Sequence, residues 1–352
     1  MRRAALLAPF LLVLAVACSS APEPSAPEPS APEPRRPIEV QDGMSFTGWW
    51  HDAFHGPKPV ESMTNLADTG AGWVAIIITW YQDTIASTDI HPTHDTPPDD
   101  ELVRMIRTAH DLGLKVMLKP HIDLLKDLTY YRPQIGTAWG NDPAAWDRWF
   151  ASYRGFIFHF ADIAEAEGVE QFAVGTELVG TSGQTERWRE VVRGVRDRFS
   201  GTLIYASLID GEEMGIRWWD AVDLIGIDVY YPLTDRYDPT VQELKDAWVP
   251  RVQQFADLSA AWDDKPIVFT EIGYRSIDGA NTNPWDWMWE RPLDLQEQAD
   301  CYRAALESVW DEPWFAGIYW WDWSAAPSVG GSQDTGFTPF GKPAEQVLRS
   351  WY

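Results

Sequence analysis

Two glutamates stand where an acid is costly. Glu177 closes the run Phe172-Ala173-Val174-Gly175-Thr176, and Glu271 closes Ile267-Val268-Phe269-Thr270. A carboxylate at the end of an apolar run is expensive to bury unless it is paired or put to use. Lys119 and Arg275 are the cations in the sequence that could pair with them structurally. Used together, two carboxyl groups can divide one substitution into two steps. One attacks as a nucleophile, while the other gives a proton to the leaving group and later takes one from water.

That division of labour needs a scaffold that brings distant chain positions together. From residue 43 the chain alternates short apolar runs with helical periodicity and has no break long enough for a domain linker. Strands are predicted at 44–49, 73–80, 114–121, 170–176, 202–208, 224–230, 266–272 and 315–321. Several are apolar on both faces, as buried parallel strands are. Helices are predicted at 60–69, 99–112, 143–167, 184–199, 239–260, 294–310 and 343–352, with a short one near 216–222. Asp294 followed by Glu297 gives the helix at 294–310 the spacing of a capping box. Eight strand–helix pairs make residues 41–352 a single α/β domain, a (β/α)8 TIM barrel. The competing open doubly wound sheet lacks the glycine-rich phosphate turn that often follows its first strand.

Barrel chemistry gathers where strands end, and here those ends are rich in tryptophan and carboxylate. Trp49 closes strand 1, Trp80 strand 2, and Trp320 and Trp323 strand 8. Lys119 and His121 end strand 3, Thr176 precedes Glu177 on strand 4, and Asp228 and Tyr230 end strand 6. Sugar rings stack their C–H faces on flat aromatic surfaces and need fixed polar partners for their hydroxyls. The four rim tryptophans are therefore read as sugar-facing. Asp228 is either a sugar contact or a structural partner of a neighbouring loop. The long aromatic loop 278–292, with Trp285, Trp287 and Trp289, either walls the cleft, adds a subsite or packs on the barrel. His51 with His55 and His91 with His94 are closely spaced but lack a matching third ligand, so neither a metal nor a cofactor is expected.

The first residues point to export. Arg2 and Arg3 precede the apolar run Ala4–Val16, and Leu14-Ala15-Val16-Ala17-Cys18 resembles a bacterial lipobox, with Cys18 the lipidated residue. An ordinary secretory signal is the other reading of residues 1–18. Residues 19–40 hold three copies of Ser-Ala-Pro-Glu-Pro and read as a disordered proline-rich linker, long enough to space an anchored domain from its membrane. The expected location is the cell envelope, with the lipid anchor as the membrane contact. A formal net charge of −25 disfavours nucleic acid and polyanions and favours a neutral partner. Cys301 stands alone, which leaves no disulfide framework, and a monomer is expected.

From about residue 43 to 352 the chain resembles glycoside hydrolase family 113, retaining β-mannan-active enzymes of clan A. The likeness is carried by GTEL at 175–178, DLIGIDVYYPL at 223–233, KPIVFTEIGYRS at 265–276, GIYWWDW at 317–323 and GFTPFGKPAEQVL at 336–348. It implies Glu177 as acid/base and Glu271 as nucleophile. It further implies that Tyr230 bonds the nucleophile, that Trp320 floors the cleaved sugar's subsite, and that Lys119 and His121 contact its hydroxyls. Many clan members place Asn before the acid/base to bind the sugar 2-hydroxyl, where this chain has the shorter Thr176. The implied reaction is hydrolysis of β-1,4-linked mannan-type neutral poly- or oligosaccharide. A clan A hydrolase of another β-glycan, such as β-glucan, and a non-catalytic glycan-binding lipoprotein are the alternatives.

Overall fold

The computed structural model describes residues 40–352 apart from Leu128 and Asp210. The leader, Cys18 and all of the linker but Val40 lie outside the described residues. Eight strands close into one parallel barrel in sequence order, the first pairing with the last. They are β1 (Gln41–Thr47), β2 (Trp73–Gln82), β3 (Lys115–Leu124), β4 (Gln171–Thr176), β5 (Thr202–Leu208), β6 (Leu224–Asp228), β7 (Ile267–Ile272) and β8 (Phe315–Ser324). Around them lie α1 (Lys58–Ala67), α2 (Asp99–Asp111), α3 (Pro143–Ala166), α4 (Val179–Ser182), α5 (Thr185–Arg196), α6 (Glu212–Gly215), α7 (Val241–Ala261), α8 (Leu295–Val309) and α9 (Pro343–Arg349). The TIM barrel expected from the sequence is the fold observed. Locally, β3 and β8 each run three residues further at the C-terminal end than predicted, and β1 starts three residues earlier and ends two earlier. In place of the short helix near 216–222 are α6 and a 3-10 turn at Trp219–Ala221. Among the described residues, no helix is long and apolar enough to cross a membrane.

Two apolar layers hold the barrel. Inside, Trp73, Ala75 and Ile77 of β2 meet Met117, Ala173, Ile204, Val268, Ala316 and Tyr319. A polar link at the base, Gln41 to Gln171 at 2.7 Å and Tyr319 to Gln41 at 2.9 Å, satisfies the amides buried there. Outside, the other strand face packs on the helices through a mantle of rings. Trp149 of α3 stacks on Tyr153 at 4.9 Å, Tyr153 meets Trp188 of α5 at 5.1 Å, and Trp188 lies parallel to Trp218 at 5.1 Å. Gly175 lets this mantle approach β4, since a Cβ there would fall 2.8 Å from the Tyr153 hydroxyl and 2.9 Å from Trp188.

The loop between β7 and α8 is pinned from the helix it precedes. Asp294 caps α8 by accepting from the backbone of Gln296 and Glu297. Glu297 does not complete the predicted capping box. Its carboxylate accepts instead from Gly279 N at 2.7 Å, Asn281 N at 3.0 Å and Asn281 Nδ2 at 2.8 Å. The loop offered this buried acid three donors, more than the helix terminus could. Glu297→Ala should therefore strand three donors and cost roughly 2–4 kcal/mol, read as a lower denaturant midpoint with an unchanged slope. Stability equal to the native protein would show that the loop re-pairs without it.

Candidate active site

Glu177 and Glu271 meet at the mouth because two strands carry an extra residue. On β7, the register slips against β6 between Ile227 and Asp228, and against β8 between Phe269 and Ile272. Thr270 and Glu271 thus both turn inward, although strict alternation would send one of them outward. On β4 the register slips against β5 between Ala173 and Thr176. Glu177 then takes a left-handed backbone with φ of 53°, a conformation few residues without flexibility adopt. Its N–H is held by Ala206 O at 2.8 Å. The next residue, Leu178, donates its N–H to the Tyr205 hydroxyl, which donates to Glu212 at 2.6 Å. Glu212, whose pKa burial raises to about 7, also accepts from Leu208 N. It braces the turn that aims Glu177.

Glu271 is gripped by two donors. Lys119 Nζ reaches its Oε1 at 2.6 Å and the Tyr230 hydroxyl its Oε2 at 2.8 Å. The Tyr230 bond is the one the sequence resemblance implied. Lys119 also donates to both oxygens of Asp228, at 3.2 and 3.3 Å, and to Thr270 O at 3.3 Å. Thr270 Oγ1 donates to Asp228 at 2.6 Å. Glu177, Asp228 and Glu271 each bring one carboxylate oxygen within 4.8 Å of the others. Burial is the largest influence on Glu177, and the charge of Glu271 adds to it. Against the opposing pull of Arg132 and Lys119, they lift the Glu177 pKa to about 7. Burial and Glu271 push Asp228 upward too, opposed by Lys119 and Thr270. The site thus combines a carboxylate fixed by donors with an acid that retains a proton near neutrality.

Several residues sit elsewhere than the sequence placed them. Trp320 is fully buried on the helix side, stacked on Tyr302 of α8 at 3.7 Å and donating to the Tyr352 hydroxyl. It cannot floor a subsite. Trp323 is also buried, donating to Ser62 of α1 and packed on Phe340. Trp80 packs on Phe156, His159 and Phe160 of α3. These three belong to the outer mantle. At the mouth itself stand Trp49 and Trp321, partly open, with ring centroids 5.8 Å apart. Trp321 shares its strand face with Tyr319, which fills the barrel. That alternation was the available signal, but it required knowing which face points in.

Lys119 and Asp228 have no exposed side-chain surface and are engaged with each other, so both are internal partners of the carboxylates and not sugar contacts. His121 and Thr176 are likewise enclosed, each with a polar atom, Nε2 and Oγ1, that has no hydrogen-bond partner. Arg132 was not anticipated. It lies in a 3-10 turn between β3 and α3, contacts His121 and Asp123, and comes within 4.0 Å of Glu177. No periodicity or motif marks it. The histidines of the 51/55 and 91/94 pairs bond to loop and helix neighbours away from these carboxylates.

A closed (β/α)8 barrel whose mouth holds a donor-gripped carboxylate beside a protonated one is the site of a hydrolase acting on O-glycosides. The chain belongs to Glycoside Hydrolase Family 113, whose family model matches residues 44–342. Among solved structures it is similar to a GH113 β-1,4-mannanase at 31% identity and TM-score 0.78, covering 90% of this chain and 99% of that one. It is similar to the GH113 β-mannanase AaManA from Alicyclobacillus acidocaldarius, in complex with ManMIm, at 31% identity and TM-score 0.79, over 90% and 97% of the two chains. A β-glucuronidase from Ruminococcus gnavus shares the fold alone, at 12% identity and TM-score 0.56, over 90% of this chain and 50% of that one. No curated protein matches the chain.

The electrostatics make a direct test. In Glu271→Gln the negative neighbour is gone while Arg132 and Lys119 remain, so Glu177 should ionise more easily. Its pKa should fall from about 7 toward the ordinary carboxylate range, followed by carboxyl-carbon NMR against pH. An unchanged titration would mean that burial alone sets the value.

Proposed function

We propose that the protein is a retaining hydrolase of β-1,4-linked mannan-type polysaccharide or oligosaccharide, with Glu271 as nucleophile and Glu177 as acid/base. The observation that carries this reading is the approach of the two carboxyl groups, with oxygens within 4.8 Å. An approach this near supports double displacement, with about 5–5.5 Å between groups, over the wider separation that an inverting enzyme needs for its water. Glu271 attacks the anomeric carbon as the glycosidic oxygen departs with the proton of Glu177. The glycosyl ester on Glu271 is then broken by water, which gives its proton back to Glu177 and leaves Glu271 as a carboxylate. Trp49 and Trp321 offer the open aromatic surface for the sugar. Mannan as substrate is supported by the printed activity of the two mannanases at 31% identity.

The test is chemical. An activated 2-deoxy-2-fluoro-mannoside should add one sugar mass to the peptide carrying Glu271, and Glu271→Ala should lose at least about 10⁴-fold in turnover. Label on another residue would overturn the nucleophile. Reducing sugar should appear from mannan and glucomannan; release from β-glucan alone would reassign the substrate, and release from none would leave a glycan-binding protein.

We further propose that the enzyme works at the cell envelope, tethered through a lipid on Cys18, with residues 19–40 as spacer. The supporting features are the lipobox-like Leu14–Cys18 and the repeated Ser-Ala-Pro-Glu-Pro. Native protein should partition with membranes and Cys18→Ser should not; equal partitioning of the two would remove the anchor.

A further inference from the structure

Arg132 makes contacts that determine where a proton sits. Its side chain is 14% exposed, with Nη2 donating to Asp123 Oδ1 at 2.8 Å and Nη1 lying 2.6 Å from Nδ1 of His121. A guanidinium has five N–H groups and no lone pair, so the hydrogen in the second contact belongs to Arg132 and Nδ1 is the acceptor. The imidazole therefore carries no proton on Nδ1. A doubly protonated ring would set two donors against each other. It would also add a third cation to Lys119 and Arg132 inside a dry pocket. Burial, then the charges of Arg132 and Lys119, accordingly hold the His121 pKa well below its usual range.

The other ring nitrogen has no hydrogen-bond partner, and it faces Oε1 of Glu271 at 3.8 Å. The ring plane is held parallel to Trp321, 6° apart with centroids 6.3 Å distant. With the proton on Nε2, an N–H dipole points toward the Glu271 carboxylate. In the opposite tautomer a lone pair would face that carboxylate, and an N–H would face the guanidinium. Both ends of the ring thus select the same form.

We infer that Arg132 is a positioning residue that locks His121 as the neutral Nε2–H tautomer and thereby aims an N–H dipole at Glu271 from 3.8 Å, beyond the hydrogen bonds of Lys119 and Tyr230. The inference deepens the reading of Glu271 as nucleophile and rests on it. A donor aimed at this carboxylate stabilises it more as a free anion than as a glycosyl ester. Its loss should therefore slow the breakdown of the ester more than its formation.

Two measurements test this. In native protein labelled with 15N-histidine, the signal that disappears in His121→Phe is His121. It should show an unprotonated Nδ1 and a protonated Nε2, unchanged from about pH 5 to 8, and Arg132→Met should convert it to a mixed or titrating ring. A native ring protonated on Nδ1, or one unaffected by Arg132→Met, overturns the lock. This reading needs no substrate, so it stands or falls separately from the assigned activity.

On an activated aryl mannoside, Arg132→Met should lower kcat by about tenfold and lower KM with it, as ester accumulates. A merely structural loss would lower kcat at constant KM. In a His121→Phe background, Arg132→Met should cost no more than His121→Phe alone. A further tenfold loss there would show that the arginine acts on Glu177 directly and not through the ring.

Discussion

Lys119 places a positive charge where no water reaches, between Glu271 on β7 and Asp228 on β6. Such a charge is tolerable only with its counter-charges at hydrogen-bond distance, and removing one partner leaves the others uncompensated. The cation therefore fixes β3, β6 and β7 relative to one another at the mouth. It consumes its donors in doing so, which is why it serves the carboxylates and not the substrate. Glu177 lies outside this closed exchange. With Arg132 no nearer than 4.0 Å, it feels burial and the charge of Glu271 more than any counter-charge, and its pKa rises to about 7.

The aromatic content divides along the same boundary. Twenty-one tryptophans suggest a sugar-binding surface on composition alone. Most of those located above, including Trp149, Trp188, Trp218 and Trp320, instead tie helices to the outside of the barrel. Their indole nitrogens find acceptors, Trp188 in Thr181 O, Trp218 in Ser182 O, Trp149 in Gln82 Oε1 and Trp320 in the Tyr352 hydroxyl. This rigid mantle is what allows β4 to end in a left-handed turn. Tyr205 belongs to the mantle through Trp188 and Trp218, and its hydroxyl holds the residue after Glu177.

Loops complete the mouth by buried acids and cations acting at a distance in sequence. Glu297 pins the loop after β7 from the helix beyond it. Lys342, buried before α9, donates to Ser276, Asp334 and Gly336 and joins the segments that follow β7 and β8. Glu297 satisfies backbone N–H groups of the loop, and Lys342 is satisfied by two side chains and one carbonyl. Neither contact could be foreseen from local pattern, because helix amphipathicity identifies an apolar face and neither the acid buried on it, as with Glu297, nor a cation in the turn before a helix, as with Lys342.

The sequence by itself determined the barrel, its strand and helix order, and the two glutamates, because apolar runs of fixed length and the helical repeat are local, additive signals. An acid ending such a run is conspicuous for the same reason. Which rings stand at the barrel mouth was settled by packing alone. An extra residue in β7 and another in β4 change which side chains point inward, and the choice between Trp320 and Trp321 depends on a parity that packing sets. Packing also decided the proton balance. How firmly Glu177 holds its proton depends on burial and on Glu271, Arg132 and Lys119, which come from three separate chain segments. Their charges act through space across a few ångströms, and sequence separation carries no information about that distance.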